Sequence, residues 1–272
     1  MTRHLLLAAV LTSPLPAMAD TLDDLRAQGF ARIAIANEPP FTAVAADGSV
    51  SGAAPDVARE VFRRLGVPEV VASVSEYGAM IPGLQARRHD VVTAGLFMKP
   101  ERCEAVAYSE PVLCDAEAFL VPAGNPGGFT SYADVAADPE ATIGAPGGGT
   151  EERLALEAGV PRDRVIVVPD GQSGLTMVQD GRIDVYSLPV LSISDLLAKA
   201  GDANLEMVAP VVGAPVYCDG AAFRPEDTAL RDAFDAELAA MKESGEFAAI
   251  VEPYGFSAAA AMSTSREELC AG

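Results

Sequence analysis

The segments PVLCD (residues 111–115) and PVYCD (residues 215–219) repeat one pattern in two distant parts of the chain. Each comes at the end of a stretch in which apolar strand patterns alternate with helix patterns. We interpret the two segments as strands that cross between two lobes, after which the C-terminal part of the chain returns to the first lobe. This interpretation predicts that residues 20–113 and 218–272 form lobe 1 and that residues 114–217 form lobe 2.

The stretch before the first crossing segment predicts three strands, at residues 31–36, 70–74 and 90–94. Between the first two lies a helix that stops near Gly66, with an apolar face formed by Val57, Val61, Phe62 and Leu65. A second helix carries Met80, Ile81 and Leu84. The order β-α-β-α-β predicts a largely parallel sheet with helices on its faces.

The stretch before the second crossing segment repeats this rhythm. It predicts strands at residues 116–121, 142–145, 164–168 and 183–186, with helices at 151–157, 174–179 and 194–200. A helix near the C-terminus places Leu230, Phe234, Leu238 and Met241 on one face and ends at Gly245. The predicted fold class is therefore α/β, with two lobes that each contain a mainly parallel sheet and flanking helices, joined by two hinge strands.

Residues 1–19 have the pattern of an export signal: a basic residue, Arg3, a short apolar run, and small residues at the predicted cleavage site, Ala17 and Ala19. A buried first helix is the alternative. Cleavage would remove one base and no acid from a chain of net charge −20, leaving about −21. Such a chain repels phosphate backbones, so we expect no nucleic-acid partner. The sequence thus indicates a periplasmic protein.

Four cysteines, Cys103, Cys114, Cys218 and Cys270, allow three disulfide pairings. Cys103 and Cys114 flank a segment that we interpret as extended, which separates them too far for a bond. Cys114 and Cys218 occupy matching places in the two crossing segments, so we favour that pair together with Cys103–Cys270. There is no C-x-x-C pair, and His89 is the only histidine after the export signal. We therefore expect neither a metal site nor a cofactor.

Three aromatic residues follow the first three predicted strands: Phe41, Tyr77 and Phe97. Ligands of open α/β sheets bind beyond the carboxyl ends of the strands, so these rings are expected to share one site. Aromatic faces attract cations, and Glu38 is placed to accept hydrogen bonds from a cationic N–H group. The alternatives are rings that pack separately in the core and a solvated glutamate.

An anion-binding group is predicted beside these rings. Arg102 offers a fork of donors suited to a carboxylate, and Gly147, Gly149 and Thr150 belong to a glycine-rich turn before a helix, where backbone amides are free. The alternatives are a surface ion pair for Arg102 and a plain helix N-cap for Thr150. Together, the cationic and anionic halves predict a site for a small zwitterion.

The chain resembles the polar amino-acid class of periplasmic binding proteins of ABC importers, solute-binding family 3. The segments that carry the resemblance are 83–86, 90–95, 100–102, 108–111 and 242–247. Within this class it is most similar to the members that bind ectoine and 5-hydroxyectoine, through residues 99–103, 143–152, 168–174, 184–189 and 216–223. The resemblance covers essentially the whole chain after the export signal.

The resemblance implies a type II periplasmic-binding-protein fold, a monomer that catalyses no reaction, and transient contact with a membrane permease. It also implies that rings at Phe41, Tyr77 and Phe97 enclose the cyclic amidinium of ectoine or 5-hydroxyectoine, with polar contacts from Glu38, Arg102 and Thr150. Ordinary amino-acid binders carry an aspartate shortly after Asp184, but the segment here reads YSLP at residues 186–189. A localised ammonium would therefore lack its usual partner.

Other functions remain open at this point. The same fold binds polar amino acids and betaines. It also serves as a dehydratase, a lytic transglycosylase or the sensing domain of a receptor. An enzyme needs a general acid or base in the cleft, and Glu38 is the one candidate that the strand-end pattern places there.

Overall fold

The computed structural model describes residues 21–271, so the predicted export signal lies outside the described residues. The strands are β1 (Phe30–Ile35), β2 (Ala43–Val44), β3 (Val50–Ser51), β4 (Glu69–Val74), β5 (Val91–Val92), β6 (Ala107–Tyr108), β7 (Cys114–Asp115), β8 (Glu117–Pro122), β9 (Ile143–Pro146), β10 (Val165–Val168), β11 (Val185–Pro189), β12 (Leu205–Val208), β13 (Tyr217–Cys218) and β14 (Ala222–Phe223).

The helices are α1 (Thr21–Gln28), α2 (Ala53–Arg64), α3 (Tyr77–Gln85), α4 (Pro100–Cys103), α5 (Tyr132–Ala137), α6 (Thr150–Glu157), α7 (Gly171–Gln179), α8 (Val190–Ala200), α9 (Thr228–Ser244), α10 (Glu246–Val251), α11 (Ala258–Met262) and α12 (Arg266–Ala271). Within residues 21–271, no helix combines the length and the apolar character needed to cross a bilayer.

The first lobe is built on a five-stranded sheet with the order β4-β1-β5-β14-β6. Strand β1 pairs in parallel with both β4 and β5, as the β-α-β-α-β pattern predicts. Strand β14 lies after the second crossing segment and pairs antiparallel with β5 and β6. The C-terminal part of the chain therefore does return to the first sheet.

The second lobe is built on a sheet with the order β10-β9-β11-β8-β12. Strands β10, β9 and β11 are parallel, whereas β8 pairs antiparallel with both β11 and β12. Strand β8 enters directly from the hinge without a preceding crossover helix, and a parallel neighbour would require such a crossover. The strand predicted at residues 183–186 begins two residues later, at Val185.

The two crossing segments lie side by side. Strand β7 pairs antiparallel with β13, and Cys114 is the direct partner of Cys218. The structure confirms both favoured disulfides, Cys114–Cys218 and Cys103–Cys270. The first joins the two hinge strands, and the second joins α4 to the C-terminal helix α12.

Helix α9 packs in the first lobe through the residues that its period predicts. Leu230, Phe234, Leu238 and Met241 are buried, and Gly245 ends the helix in the left-handed conformation. Phe234 contacts Phe62 of α2 and Phe223 of β14 edge to face, with ring centroids 5.9 and 5.5 Å apart. This core packs α2 and α9 against β14 of the first sheet, whose strand ends carry the candidate site.

Candidate functional site

A small cavity between the lobes brings together seven of the eight predicted site residues. Its lining consists of Glu38, Phe41, Tyr77, Gly95, Phe97, Arg102, Gly149, Thr150, Glu151 and Pro189. Gly147 lines a larger neighbouring cavity instead. The two cavities share Glu38 and Tyr77, and their volumes are about 10 and 120 Å³.

The aromatic residues surround the small cavity and also extend into the core. Phe41 lies edge to face with Phe97, with centroids 6.0 Å apart, and with Phe256 at 4.7 Å. Phe97 stacks on Tyr217, with centroids 5.6 Å apart and an angle of 20° between the planes. The alternative of separate core positions is therefore wrong for these rings, since one hollow beside Arg102 unites them. Phe41 packs in the core and lines the cavity at the same time.

Glu38 links the two lobes through its carboxylate. One oxygen accepts a hydrogen bond from the Ser192 hydroxyl on α8, at 2.8 Å, and the other accepts from the Tyr77 hydroxyl at 3.3 Å. The residue borders both cavities and so keeps partial exposure, but protein surrounds the carboxylate. Burial, with the nearby charge of Glu151, raises its pKa to about 8. The alternative of a solvated glutamate is wrong.

The raised pKa of Glu38 predicts a specific pH dependence of stability for Glu38→Gln. In the wild type, the folded state retains a proton that the unfolded state has lost between roughly pH 4.5 and 8. The free energy of unfolding therefore falls as pH rises through this window, by up to about 1.4 kcal/mol per pH unit. Glutamine resembles the protonated acid and lacks this loss, so the variant should gain stability relative to wild type from pH 6 to 8.

Urea unfolding of both proteins at pH 6, 7 and 8 measures the difference directly. Glu69→Gln is a suitable control, because Glu69 is an exposed residue at the start of β4. A difference between Glu38→Gln and wild type that stays constant across this range would contradict the assignment.

Arg102 lies in the short helix α4 and holds the lobes together. Its Nη1 donates a hydrogen bond to the Phe97 carbonyl at 2.8 Å, and its Nη2 donates to the Gly148 carbonyl in the second lobe at 2.9 Å. Beside it, Glu101 forms an ion pair with Arg153 of α6, at 3.4 Å. Arg102 therefore faces the cavity and bridges the lobes, so the alternative of a surface ion pair is wrong.

The glycine-rich turn allows the backbones of the two lobes to touch. Gly78 of α3 donates its amide to the Gly147 carbonyl at 3.2 Å. Gly148 has φ = +74°, and a Cβ placed there would lie 2.5 Å from the Gly78 Cα. Because no L side chain fits this contact, glycine at residue 148 is required for the closed arrangement.

Thr150 is not the N-cap of α6, so the alternative of a plain N-cap is wrong. Gly149 occupies the cap position, and Thr150 is the first residue of the helix. Its side chain is buried, and the residue lines the small cavity. Thr150 and Arg102 therefore line the same cavity, with Thr150 in the first turn of α6.

Two buried charged residues of the site, Lys99 and Glu117, were not predicted from the sequence. Lys99 is buried, and its Nζ lies 5.5 Å from the centre of the Tyr217 ring. Burial lowers its pKa to about 7. Glu151 lines the small cavity, and burial raises the pKa of its carboxyl.

Glu117 is the most unusual of these residues. It is 1% exposed, and neither carboxylate oxygen has a hydrogen-bond partner among the described residues. Burial, with the nearby charge of Glu151, raises its pKa well above the usual value, while Lys99 acts in the opposite direction. Glu117 opens β8 next to the hinge, where nothing in the local sequence distinguishes it from an exposed strand glutamate.

The described residues offer no metal site: within residues 21–271, no three histidine, cysteine or acidic side chains are grouped so that they could hold an ion. Glu38 instead accepts hydrogen bonds from the hydroxyls of Ser192 and Tyr77. The arrangement suits a small organic molecule with a positive end among rings and carboxylates and a negative end at Arg102 and the start of α6.

Comparison with known proteins gives a family and close relatives. The description of bacterial extracellular solute-binding proteins, family 3, matches residues 31–257. The probable amino-acid ABC transporter periplasmic-binding protein y4tE of Sinorhizobium fredii is 36% identical over 261 residues, which cover 93% of this chain and 86% of that protein.

Two solved structures are also similar. EhuB in complex with hydroxyectoine shares 79% identity and a TM-score of 0.91, covering 92% of this chain and 97% of that one. The ancestral amino acid-binding protein AncCDT-1, a precursor of cyclohexadienyl dehydratase, has 24% identity and a TM-score of 0.75, covering 86% of this chain and 99% of that one. At that identity, the second similarity indicates the fold alone.

Proposed function

The chain belongs to the bacterial extracellular solute-binding proteins of family 3, and we propose that it captures ectoine or 5-hydroxyectoine as the binding component of an ABC importer. The observation that carries this proposal is the convergence of three aromatic rings, Glu38 and Arg102 on one cavity between the lobes. The 79% identity to EhuB, whose structure contains hydroxyectoine, supports the same ligand class.

Each half of the site matches one end of this ligand. The rings of Phe41, Tyr77 and Phe97 offer π faces to a delocalised ring cation, at roughly 0.5–2 kcal/mol per contact. Arg102 and the start of α6 offer donors to the carboxylate. Glu38 is placed at the cationic end, where its oxygens already accept hydrogen bonds from Ser192 and Tyr77.

Binding requires the lobes to part and close again. The small cavity of about 10 Å³ has room for only about one water molecule, so a ring-shaped solute needs a wider cleft to enter. Rotation about β7 and β13 would separate the contacts of Arg102 with Gly148 and of Glu38 with Ser192. Closure then expels water, which strengthens the charge pairing and the cation–π contacts.

We also propose the cellular setting that this function implies. The protein acts in the periplasm as a monomer, transfers its ligand to an inner-membrane permease, and has no nucleic-acid partner. Residues 20–113 and 218–272 form the first lobe and residues 114–217 the second. The chain catalyses no reaction. Glu38, with its pKa of about 8, has the protonation state of a general acid. Its carboxyl group is, however, already engaged in hydrogen bonds with Ser192 and Tyr77.

A thermal-shift panel tests the ligand. The panel compares six solutes at equal concentration: hydroxyectoine, ectoine, glycine betaine, proline, arginine and glutamate. A separate assay incubates the protein with prephenate and measures how much prephenate remains. A ligand at 100 times its Kd adds about 2.7 kcal/mol, which is roughly 5–10 °C for a protein of this size. We expect such a shift with hydroxyectoine and ectoine only, and we expect the prephenate concentration to stay unchanged. A larger shift with arginine or glutamate would favour an amino-acid binder, and loss of prephenate would favour an enzyme.

A further inference from the structure

Residues 99–103, which we call the latch segment, carry much of the contact between the lobes. Arg102 donates to the Gly148 carbonyl, Glu101 pairs with Arg153, and Lys99 is buried near Glu151. Yet α4 is only four residues long. A helix of one turn has no stability of its own in water, so something else must hold these side chains in place.

The Cys103–Cys270 disulfide joins this segment directly to α12. Cys103 follows Arg102 in the chain and ends α4, so the bond acts on the backbone that carries the guanidinium. Leu269 and Cys270 pack against the buried cluster beneath α4 that includes Met98, Val106 and Tyr108. The disulfide therefore lies between the latch segment and a helix that has its own anchor on the core.

Helix α12 is fixed at its other end by Arg266. The Arg266 Nη1 donates to the Tyr108 carbonyl at 2.7 Å and to Asp235 of α9 at 2.8 Å, and its backbone amide donates to Glu110 at 3.1 Å. Ser265 and Glu268 hydrogen-bond to each other at the start of the helix. These contacts make α12 a strut that spans from the body of the first lobe to the latch segment.

We propose that α12 and the Cys103–Cys270 disulfide position Arg102 for ligand capture, beyond any general contribution to folding. The inference rests on the proposed function, because the readout is binding of hydroxyectoine. Without the bond, the latch segment samples other conformations, and the guanidinium reaches the ligand carboxylate and Gly148 only part of the time. The apparent Kd then equals the intrinsic Kd divided by the fraction of molecules in the productive conformation, so affinity falls as that fraction falls.

A double-mutant cycle separates positioning from stability. Hydroxyectoine binding is measured by calorimetry for wild type, Cys103→Ser/Cys270→Ser, Arg102→Ala and the triple variant. If the disulfide acts through Arg102, its removal weakens binding about tenfold in the wild-type background and less than about threefold in the Arg102→Ala background. Equal losses in both backgrounds, or no loss in either, would overturn the proposal.

Two further variants distinguish the positioning of Arg102 from a general loss of stability. Arg266→Ala keeps the disulfide but removes the anchor of α12, and we expect it to weaken binding by a smaller factor. Leu238→Ala opens a cavity in the core on α9, away from the latch segment, and should lower the thermal midpoint with unchanged affinity well below that midpoint. If Leu238→Ala weakened binding as much as the disulfide variant, general destabilisation would replace positioning as the explanation.

Hydrogen exchange tests the latch segment without a ligand. The amides of Arg102 and Cys103 donate to the Lys99 carbonyl, and that of Glu104 donates to Pro100. They should exchange at least about tenfold faster in Cys103→Ser/Cys270→Ser, while amides of α9 keep their protection. If wild type fails to bind hydroxyectoine, the proposed function is wrong and exchange alone decides this inference. Unchanged exchange at Arg102–Glu104 would overturn it.

Discussion

Arg102→Ala should weaken hydroxyectoine binding at least about 100-fold. The guanidinium borders the small cavity and donates to the Phe97 and Gly148 carbonyls. Its removal would leave the ligand carboxylate buried without its main partner, a change that costs roughly 3–5 kcal/mol. A loss of 1.4 kcal/mol corresponds to tenfold in Kd, so the expected effect is well within reach of titration calorimetry.

Arg153→Ala is the matched control for this prediction. Arg153 also forms an ion pair between the lobes, with Glu101 at 3.4 Å, but it does not line the small cavity. Both members of that pair are partly exposed, and such pairs contribute at most about 1 kcal/mol. We expect a less than fivefold change in Kd. Similar losses for the two variants would mean that Arg102 acts only by holding the lobes together, and the carboxylate assignment would be wrong.

Gly148→Ala should reduce affinity by a comparable factor through a different cause. A methyl group at this residue would lie 2.5 Å from the Gly78 Cα and 2.6 Å from its nitrogen, both backbone atoms that cannot move aside. The lobes would have to stay apart at this point, so the Arg102–Gly148 hydrogen bond and the closed cavity could not form. Calorimetry should give a Kd at least about 100-fold weaker than that of the wild type, and small-angle scattering should no longer show compaction on adding hydroxyectoine.

Positive φ alone also strains alanine, and Gly124→Ala measures that cost. Gly124 has φ = +81° in a surface turn of the second lobe, with no atom within 4 Å of an added Cβ. We expect it to lower the thermal midpoint as much as Gly148→Ala but to leave Kd unchanged. Normal affinity in Gly148→Ala would show that ligand capture does not require this contact between the lobes.

The contrast between Glu117 and Arg102 shows where inference from the sequence ends. Arg102 follows a predicted strand end and belongs to a recognisable segment, so its location at the cavity is predictable. Glu117 stands in an ordinary strand pattern, and its isolation arises only because α6, the hinge and Lys99 close around it. Burial and pKa depend on neighbours that are distant in the chain, and strand or helix periodicity carries no information about them.

The same distinction holds for the whole molecule. The order of strands and helices, the apolar face of α9, the hinge strands and the shared location of the strand-end aromatics follow from local periodicity and chain connectivity, which the sequence expresses directly. Tertiary structure alone decided that β8 runs antiparallel, that Gly149 rather than Thr150 caps α6, and that Arg102 and Glu38 bridge the lobes. The direction of β8 and the cap of α6 depend on how the chain packs within the second lobe. The Arg102 and Glu38 contacts form between surfaces that meet only after both lobes have formed.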